Sequence, residues 1–384
     1  MHFPSTPALE YAGQASASPP VPGVVLAPQF TGSGAEYFRI WIVNLFLTLA
    51  TFGIYSAWAK VRRLQYFDRN TSLDGAVFDF RGDPKAILRG RLLALVLLLA
   101  YQYAFGFDLP VALGILGALL LALPFLMRGA LRFRLHNTYH RGLALGFTGK
   151  TGAAYKAYVP LLVVFVAPAV AATFMPGEPM LVFAASAPYL AWPWIHAGMK
   201  RYQHRHLEYG GLASKYDVSG LQFWKEYLKS TGLFVAALAI MIGIAFASTL
   251  AAERLAHIER ATVWAPTVGA LLGLYAFYLC AIPFMQVRIG NLTWSNTAFP
   301  GVTIRSTMQA WPFVKLQSVN LALTLVTLGL FRPFAVVRIY RYRLAHASLL
   351  VEGGLDARAA AMAPARGGAT GDGAADFLGI DLSW

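Results

Sequence analysis

The chain has 384 residues, 57% of them apolar and only 13% charged, with a mean hydropathy of +0.52. A water-soluble domain carries about a quarter charged residues, so this composition points to a membrane. The single cysteine, Cys280, lies in an apolar run; it excludes an intramolecular disulfide and a thiolate metal cluster, and reads as a small buried hydrophobe.

Residues 1–28 are rich in Pro, Ala and Ser and hold no Lys or Arg. They lack the basic and apolar regions of a secretory signal and read as a disordered tail. The membrane domain follows, over residues 29–352. Its apolar segments are about 38–59, 90–106, 109–127, 157–174, 180–198, 231–250, 263–287 and 316–331. Each is long enough, or nearly so, to cross a hydrocarbon core of roughly 30 Å as a helix. The middle six pair into three hairpins, turning at 106–110, 175–179 and 251–262. Residues 353–384 read as a Gly/Ala-rich linker and a short acidic-apolar tag, a docking element or a frayed end.

Charge sets the orientation. The stretches 60–91, 128–156, 199–229, 288–315 and 332–366 hold 29 of the 32 Lys and Arg residues, which places them in the cytoplasm. The net charge of +14 is thereby explained by anionic lipid headgroups, and no nucleic-acid partner is expected.

The two ends of the domain are related. Val43–Leu73 aligns without gaps on Val319–Leu349, with 14 of 31 positions identical, which marks an internal duplication. If both copies spanned, the Arg-rich stretch 332–343 would lie outside. The last apolar segment is also short, about 24 Å as a helix, and its twin is interrupted at Thr51-Phe52-Gly53. Both copies are therefore expected to be re-entrant from the cytoplasm, with both termini cytoplasmic; eight plain spans are the opposing reading. Short strand-like pieces recur before a small residue: 76–80, 143–147, 215–218 and 302–304, with Gln29-Phe30 as a fifth. Pieces this short are unstable alone and are expected to pair into a cytoplasmic β platform. The fold class expected is an all-α polytopic membrane protein with three transmembrane hairpins, two flanking re-entrant segments and short cytoplasmic strands.

The run Phe30-Thr31-Gly32, Glu36-Tyr37-Phe38, Asn44-Leu45, Thr51 to Lys60 (TFGIYSAWAK), Arg62, Tyr66-Phe67 and Asn70-Thr71 resembles the YjgN-like family of bacterial inner-membrane proteins, a domain of unknown function. The likeness covers about residues 28–355. It implies a multi-pass inner-membrane protein and supplies no reaction or ligand.

The candidate site is a polar stripe in the duplicated segments. Asn44, Thr48 and Thr51 share one helical face, and Asn320, Thr324 and Thr327 repeat it, each stripe followed by a Gly, Gly53 or Gly329, able to bend the chain. Two such faces meeting between repeats would line a solute pathway; the plainer alternative is helix–helix hydrogen bonding. Arg62, Arg63, Arg338 and Arg341 are the candidate contacts to anionic headgroups. His136 with His140, and His196 with His204 and His206, have metal-ligand spacing, but flanking arginines disfavour a metal. Gly149-Lys150-Thr151 ends like a phosphate-binding loop, yet Ala144 stands where the motif needs Gly. No catalytic elbow or zinc-hydrolase motif is present, so neither an enzyme nor a cofactor is expected. The expected function is a channel or carrier for a small solute; the alternative is a membrane scaffold or lipid-binding protein recruiting a cytoplasmic partner.

Overall fold

Asn70, Asn137, His206, Asn296 and His346 mark the plan of the fold. Each side chain bonds the carbonyl four residues back, at 2.8–2.9 Å, and so closes the helix that precedes it. A strand begins at the very next residue every time. Such side chains compete well with the backbone ladder at a helix end. The computed structural model describes residues 23–352 apart from 105, 107, 176 and 256–258. Most of the predicted N-terminal tail, the predicted linker and tag, and parts of the three predicted turns lie outside the described residues.

The helices run in pairs, a leading helix and a returning one. The pairs are α1 (Gly34–Ala50) with α2 (Ser56–Arg69), and α3 (Pro84–Ala104) with α4 (Leu109–His136). Next, α5 (Thr151–Phe174) returns through α6 (Pro179–Ser186) and a 3-10 turn into α7 (Trp192–Arg205). The last two are α8 (Gly220–Leu255) with α9 (Glu259–Trp294), and α10 (Ala310–Val326) with α11 (Arg332–Ala345). Partners pack on each other. Each returning helix also packs on the next leading one: α2 on α3, α4 on α5, α7 on α8, α9 on α10, and α11 back on α1. The five pairs therefore form a closed ring. Among the described residues four helices are long and apolar enough to cross a membrane: α3, α4, α5 and residues 220–247 of α8.

The strands close a second ring beneath the helices. The predicted pieces 76–80, 143–147 and 302–304 fall on the second strands of β-hairpins whose first strands the sequence reading missed, while 215–218 falls on the strand just after such a hairpin, Lys215–Tyr216. The hairpins are β3 (Thr71–Leu73) with β4 (Ala76–Phe80), β5 (Thr138–His140) with β6 (Leu143–Phe147), β7 (Leu207–Tyr209) with β8 (Leu212–Ala213), and β10 (Thr297–Phe299) with β11 (Val302–Ser306). Three turn on two residues of positive φ, Asp74-Gly75, Arg141-Gly142 and Gly210-Gly211, the twist that tight hairpins need. Residues 212–216 pair β7 with their first half and, as β9 (Lys215–Tyr216), pair β10 with their second. The fifth hairpin is made by distant chain: β12 (Ala347–Glu352) pairs β11 and also β1 (Gly23–Leu26), and β2 (Gln29–Phe30) of the same run pairs β3. Each hairpin's second strand thus bonds forward to the next hairpin, and the circuit has no free end. The strands pair as expected, into one sheet of five strands and one of seven, which the chain joins at Ala27-Pro28 and at Ser214; the all-α label is corrected to a mostly helical fold with these two sheets.

Strand and helix are locked where they meet. A Cβ on Gly82 would stand 2.5 Å from the Phe80 ring and 2.8 Å from that of Phe133; Gly149 stands likewise against Phe147 and Tyr202. Only glycine lets the chain fold back over these rings.

The duplicated stretches fold alike. Tyr66 accepts from the Ser33 N–H and donates to the Ser33 carbonyl, both at 2.8 Å. Tyr342, 276 positions later, does the same with Gln309 at 3.1 and 2.9 Å. Since Ser33 precedes α1 and Tyr66 lies near the end of α2, the clasp makes α1 and α2 an antiparallel pair, and α10 and α11 likewise. The reversal is a Schellman closure: the Gly53 and Gly329 N–H groups bond the carbonyls of Thr48 and Thr324 at 2.8 and 2.7 Å. Phe52 and Leu328 sit at these tips with φ 50° and are 99% and 93% exposed.

Candidate functional site

The β ring is not filled by its side chains. It surrounds a cavity of about 370 Å³ whose wall includes Leu73, Phe78, Leu145, Leu212, Val302 and Leu349, drawn from every hairpin. The wall is mostly apolar because alternate residues of short strands point inward. Its polar groups sit at defined places. His140 faces the Tyr209 hydroxyl through Nδ1 at 3.1 Å and the Leu73 carbonyl through Nε2 at 3.2 Å, with its ring 4.5 Å from that of Phe78. Burial holds its pKa below the ordinary imidazole value, so it is neutral. Thr71 Oγ1 and the Tyr340 hydroxyl lie 2.9 Å apart.

At the ring end of α2 the Asp68 carboxylate accepts from Arg134 at 3.3 Å, joining the first helix pair to the second. Burial pushes this carboxyl above the ordinary carboxylate range, and the Arg134 guanidinium opposes the shift. Asp68 Oδ2 and Arg134 Nη1 are both buried without a hydrogen-bond partner among the described residues.

A second cavity, about 440 Å³, lies higher, inside the helix ring between α7, α8, α9 and α10. Trp192, His196, Lys200, Tyr227, Ser230 and Met285 border it. The Trp192 indole N–H donates to the Tyr227 hydroxyl at 2.8 Å, and His196 Nδ1 lies 2.9 Å from the same hydroxyl. The two cavities share Trp294, Met308 and Arg343. They are therefore adjoining chambers with these three residues as a common waist.

The stripe residues occupy defined places in the same frame. Asn44 and Asn320 are buried, and each shares a helical face with a buried aromatic, Tyr37 or Phe313. Thr51 donates to the Leu47 carbonyl and accepts from the Tyr55 N–H at 2.9 Å; Thr327 does the same with Leu323 and Phe331. Thr324 donates to the Asn320 carbonyl at 2.6 Å, and Thr48 supplies the carbonyl that Gly53 caps. α11 packs on both α1 and α10. Asn44 Oδ1 and both side-chain polar atoms of Asn320 have no partner among the described residues. Burying such groups costs about 1–3 kcal/mol. Asn320→Leu should therefore raise the thermal midpoint of the detergent-solubilised protein; a fall would mean that Asn320 has a partner in the membrane.

Arg62 lies 5.6 Å over the Tyr55 ring, and Arg338 6.0 Å over Phe331. Arg63 is exposed on α2, and Arg341 donates to the Gly32 carbonyl at 2.8 Å. The histidines diverge: His136 and His206 bond helix carbonyls, His140 faces the lower chamber, and His204 meets Thr297 Oγ1 at 3.0 Å. Asp68, Trp294, Met308, Tyr340 and Arg343 were not singled out by sequence, because only ring closure brings them together.

Four helices of membrane-crossing length and hydropathy within one ring of packed helix pairs define a protein of the membrane class. The chain belongs to the family described as bacterial protein of unknown function (DUF898), whose model matches residues 26–377. It is similar to the inner membrane protein YjgN of Salmonella typhimurium, 29% identical over 119 residues, which are 31% of this chain and 30% of that one. It is also similar to the inner membrane protein YjgN of Escherichia coli strain K12, 39% identical over 51 residues, 13% of each chain. These matches thus span less than a third of the length of either relative. No solved structure matches the chain.

Proposed function

We propose that the protein is an inner-membrane channel or carrier whose two adjoining chambers take a small, largely apolar solute. The observation that carries this reading is the waist of Trp294, Met308 and Arg343, which belongs to both chambers.

The placement in the bilayer follows from one position in each helix pair. The sixth residue of every leading helix is an exposed cation: Arg39, Arg89, Lys156, Lys225 and Lys315. A girdle at one height fits the headgroups of the cytoplasmic leaflet. Above it α1 and α10 run only 11 residues further, about 17 Å, half of a hydrocarbon core. α3 runs 15 residues further and α5 runs 18, about 23 and 27 Å. In this reading the three middle pairs cross the membrane as hairpins, the two duplicated pairs are re-entrant, and both termini are cytoplasmic. The scaffold alternative draws on the girdle alone and leaves the chambers without a role.

Single cysteines test the path in a Cys280→Ser background, one at Ser306 in the lower chamber and one at Ala281 in the upper. A membrane-impermeant maleimide should label both in inverted vesicles and neither in spheroplasts. Met308→Trp at the waist should slow labelling at 281 and spare 306. Labelling at 306 only from the periplasmic side would overturn the orientation. Labelling at 281 that ignores Met308→Trp would overturn the path through the waist.

A further inference from the structure

The outer flank of the first helix pair carries a groove of about 540 Å³, lined by Arg39, Ile40 and Val43 of α1 and by Arg62, Tyr66 and Arg69 of α2, with Gln65 and Asn70. No carboxylate lines it. We infer that this groove binds the headgroup of an anionic phospholipid, with phosphate between the three guanidiniums and acyl chains rising along α1.

Charge and position both select that ligand. Guanidinium forks match phosphate oxygens in geometry and charge. Two of the three are already oriented: Arg69 Nε is fixed by Asp79 at 2.8 Å, and Arg62 lies over the Tyr55 ring. Asp79 also holds Arg81, at 2.9 Å; Glu36, the other nearby acid, accepts from Ser33 and Tyr66. Directly above the arginines, Val43, Phe46, Leu47 and Leu49 form an exposed apolar stripe ending at Phe52. A soluble phosphate ester would use the cations and leave the stripe bare, whereas a phospholipid covers both.

The second short pair repeats the register in weaker form. Lys315 and Arg338 stand at the positions of Arg39 and Arg62, while Ala345 replaces Arg69. The first groove should therefore bind more tightly than its twin.

Native mass spectrometry of the detergent-solubilised full chain, titrated with phosphatidylglycerol or phosphatidylcholine, tests this. Phosphatidylglycerol should be retained preferentially. Arg39→Gln with Arg62→Gln, which leaves the Arg69–Asp79 pair intact, should weaken its retention about 25-fold, at about fivefold per cation. Lys315→Gln with Arg338→Gln should cost distinctly less, and glycerophosphoglycerol should not compete. Equal retention of the two lipids, undiminished retention by a monodisperse Arg39/Arg62 variant, equal losses in the two double variants, or displacement by glycerophosphoglycerol would each overturn the assignment.

Discussion

A chain begun at Gly32, lacking β1 and β2, should express but fail to form a monodisperse, protease-resistant particle. Four residue pairs between β1 and β12 and two between β2 and β3 would be lost. Phe30 would go as well, whose ring lies 5.8 Å from Phe67 and 5.0 Å from Tyr340. Removing a fully buried Phe costs about 3–5 kcal/mol, of which half-buried Phe30 supplies the lower part, and each ladder hydrogen bond about 0.5–1.5 kcal/mol. Together these approach the whole stability of a typical fold, about 5–15 kcal/mol. Two bare strand edges would remain as templates for aggregation. Size exclusion and limited proteolysis read the outcome.

The complementary variant should fold. Gly23 lies opposite Glu352 in the β1–β12 register, so a short turn can join them, with new ends opened at Asp74-Gly75. A monodisperse permutant beside an aggregated truncation would mean that the closed circuit, and not the order in which the chain visits it, holds the ring together. A truncated chain as stable as the full one would sink that idea.

The legible part of this fold was whatever local sequence encodes. The duplication could be read because 14 identities fall in one gapless block. The second strands could be read because each ends before a small residue. The first strands were missed because three residues directly after a capped helix have no periodicity of their own. The turn dipeptides Asp74-Gly75 and Gly210-Gly211 were the available signal, and the capping side chains from Asn70 to His346 were another. Pairing between β1 and β12 joins residues more than 320 positions apart, and no local pattern announces it. The Asn/Thr stripes were visible as faces. That α11 packs on both of the helices carrying them depends on ring order, which the sequence reading did not reach.

Ring order also explains the polar contacts between neighbouring helix pairs, and it makes Asp68→Ala the most damaging single change expected. Thr71 meets Tyr340, His204 meets Thr297, Arg128 donates to the Gly149 carbonyl at 2.7 Å, and Asn291 donates to the Met308 carbonyl at 2.7 Å. Beside these joints stand two ion pairs between the first and second units, Asp74–Arg141 and Asp68–Arg134; the latter is the more deeply shut away, with side chains only 8% and 19% exposed. Alanine at 68 would leave a guanidinium shut away, held by little beyond the Phe80 ring 5.1 Å beneath it. Stranding a buried charge costs about 3–5 kcal/mol. Thermal unfolding in detergent, followed by the fluorescence of the nine tryptophans, should register a fall of that size. The pair's own net contribution is a separate quantity, since replacing a buried ion pair by apolar residues of similar volume is often neutral or stabilising. Asp68→Leu with Arg134→Met should therefore recover most of the loss. If the double variant is as damaged as the single one, the pair holds the first two helix pairs in register by its geometry, and the desolvation argument fails.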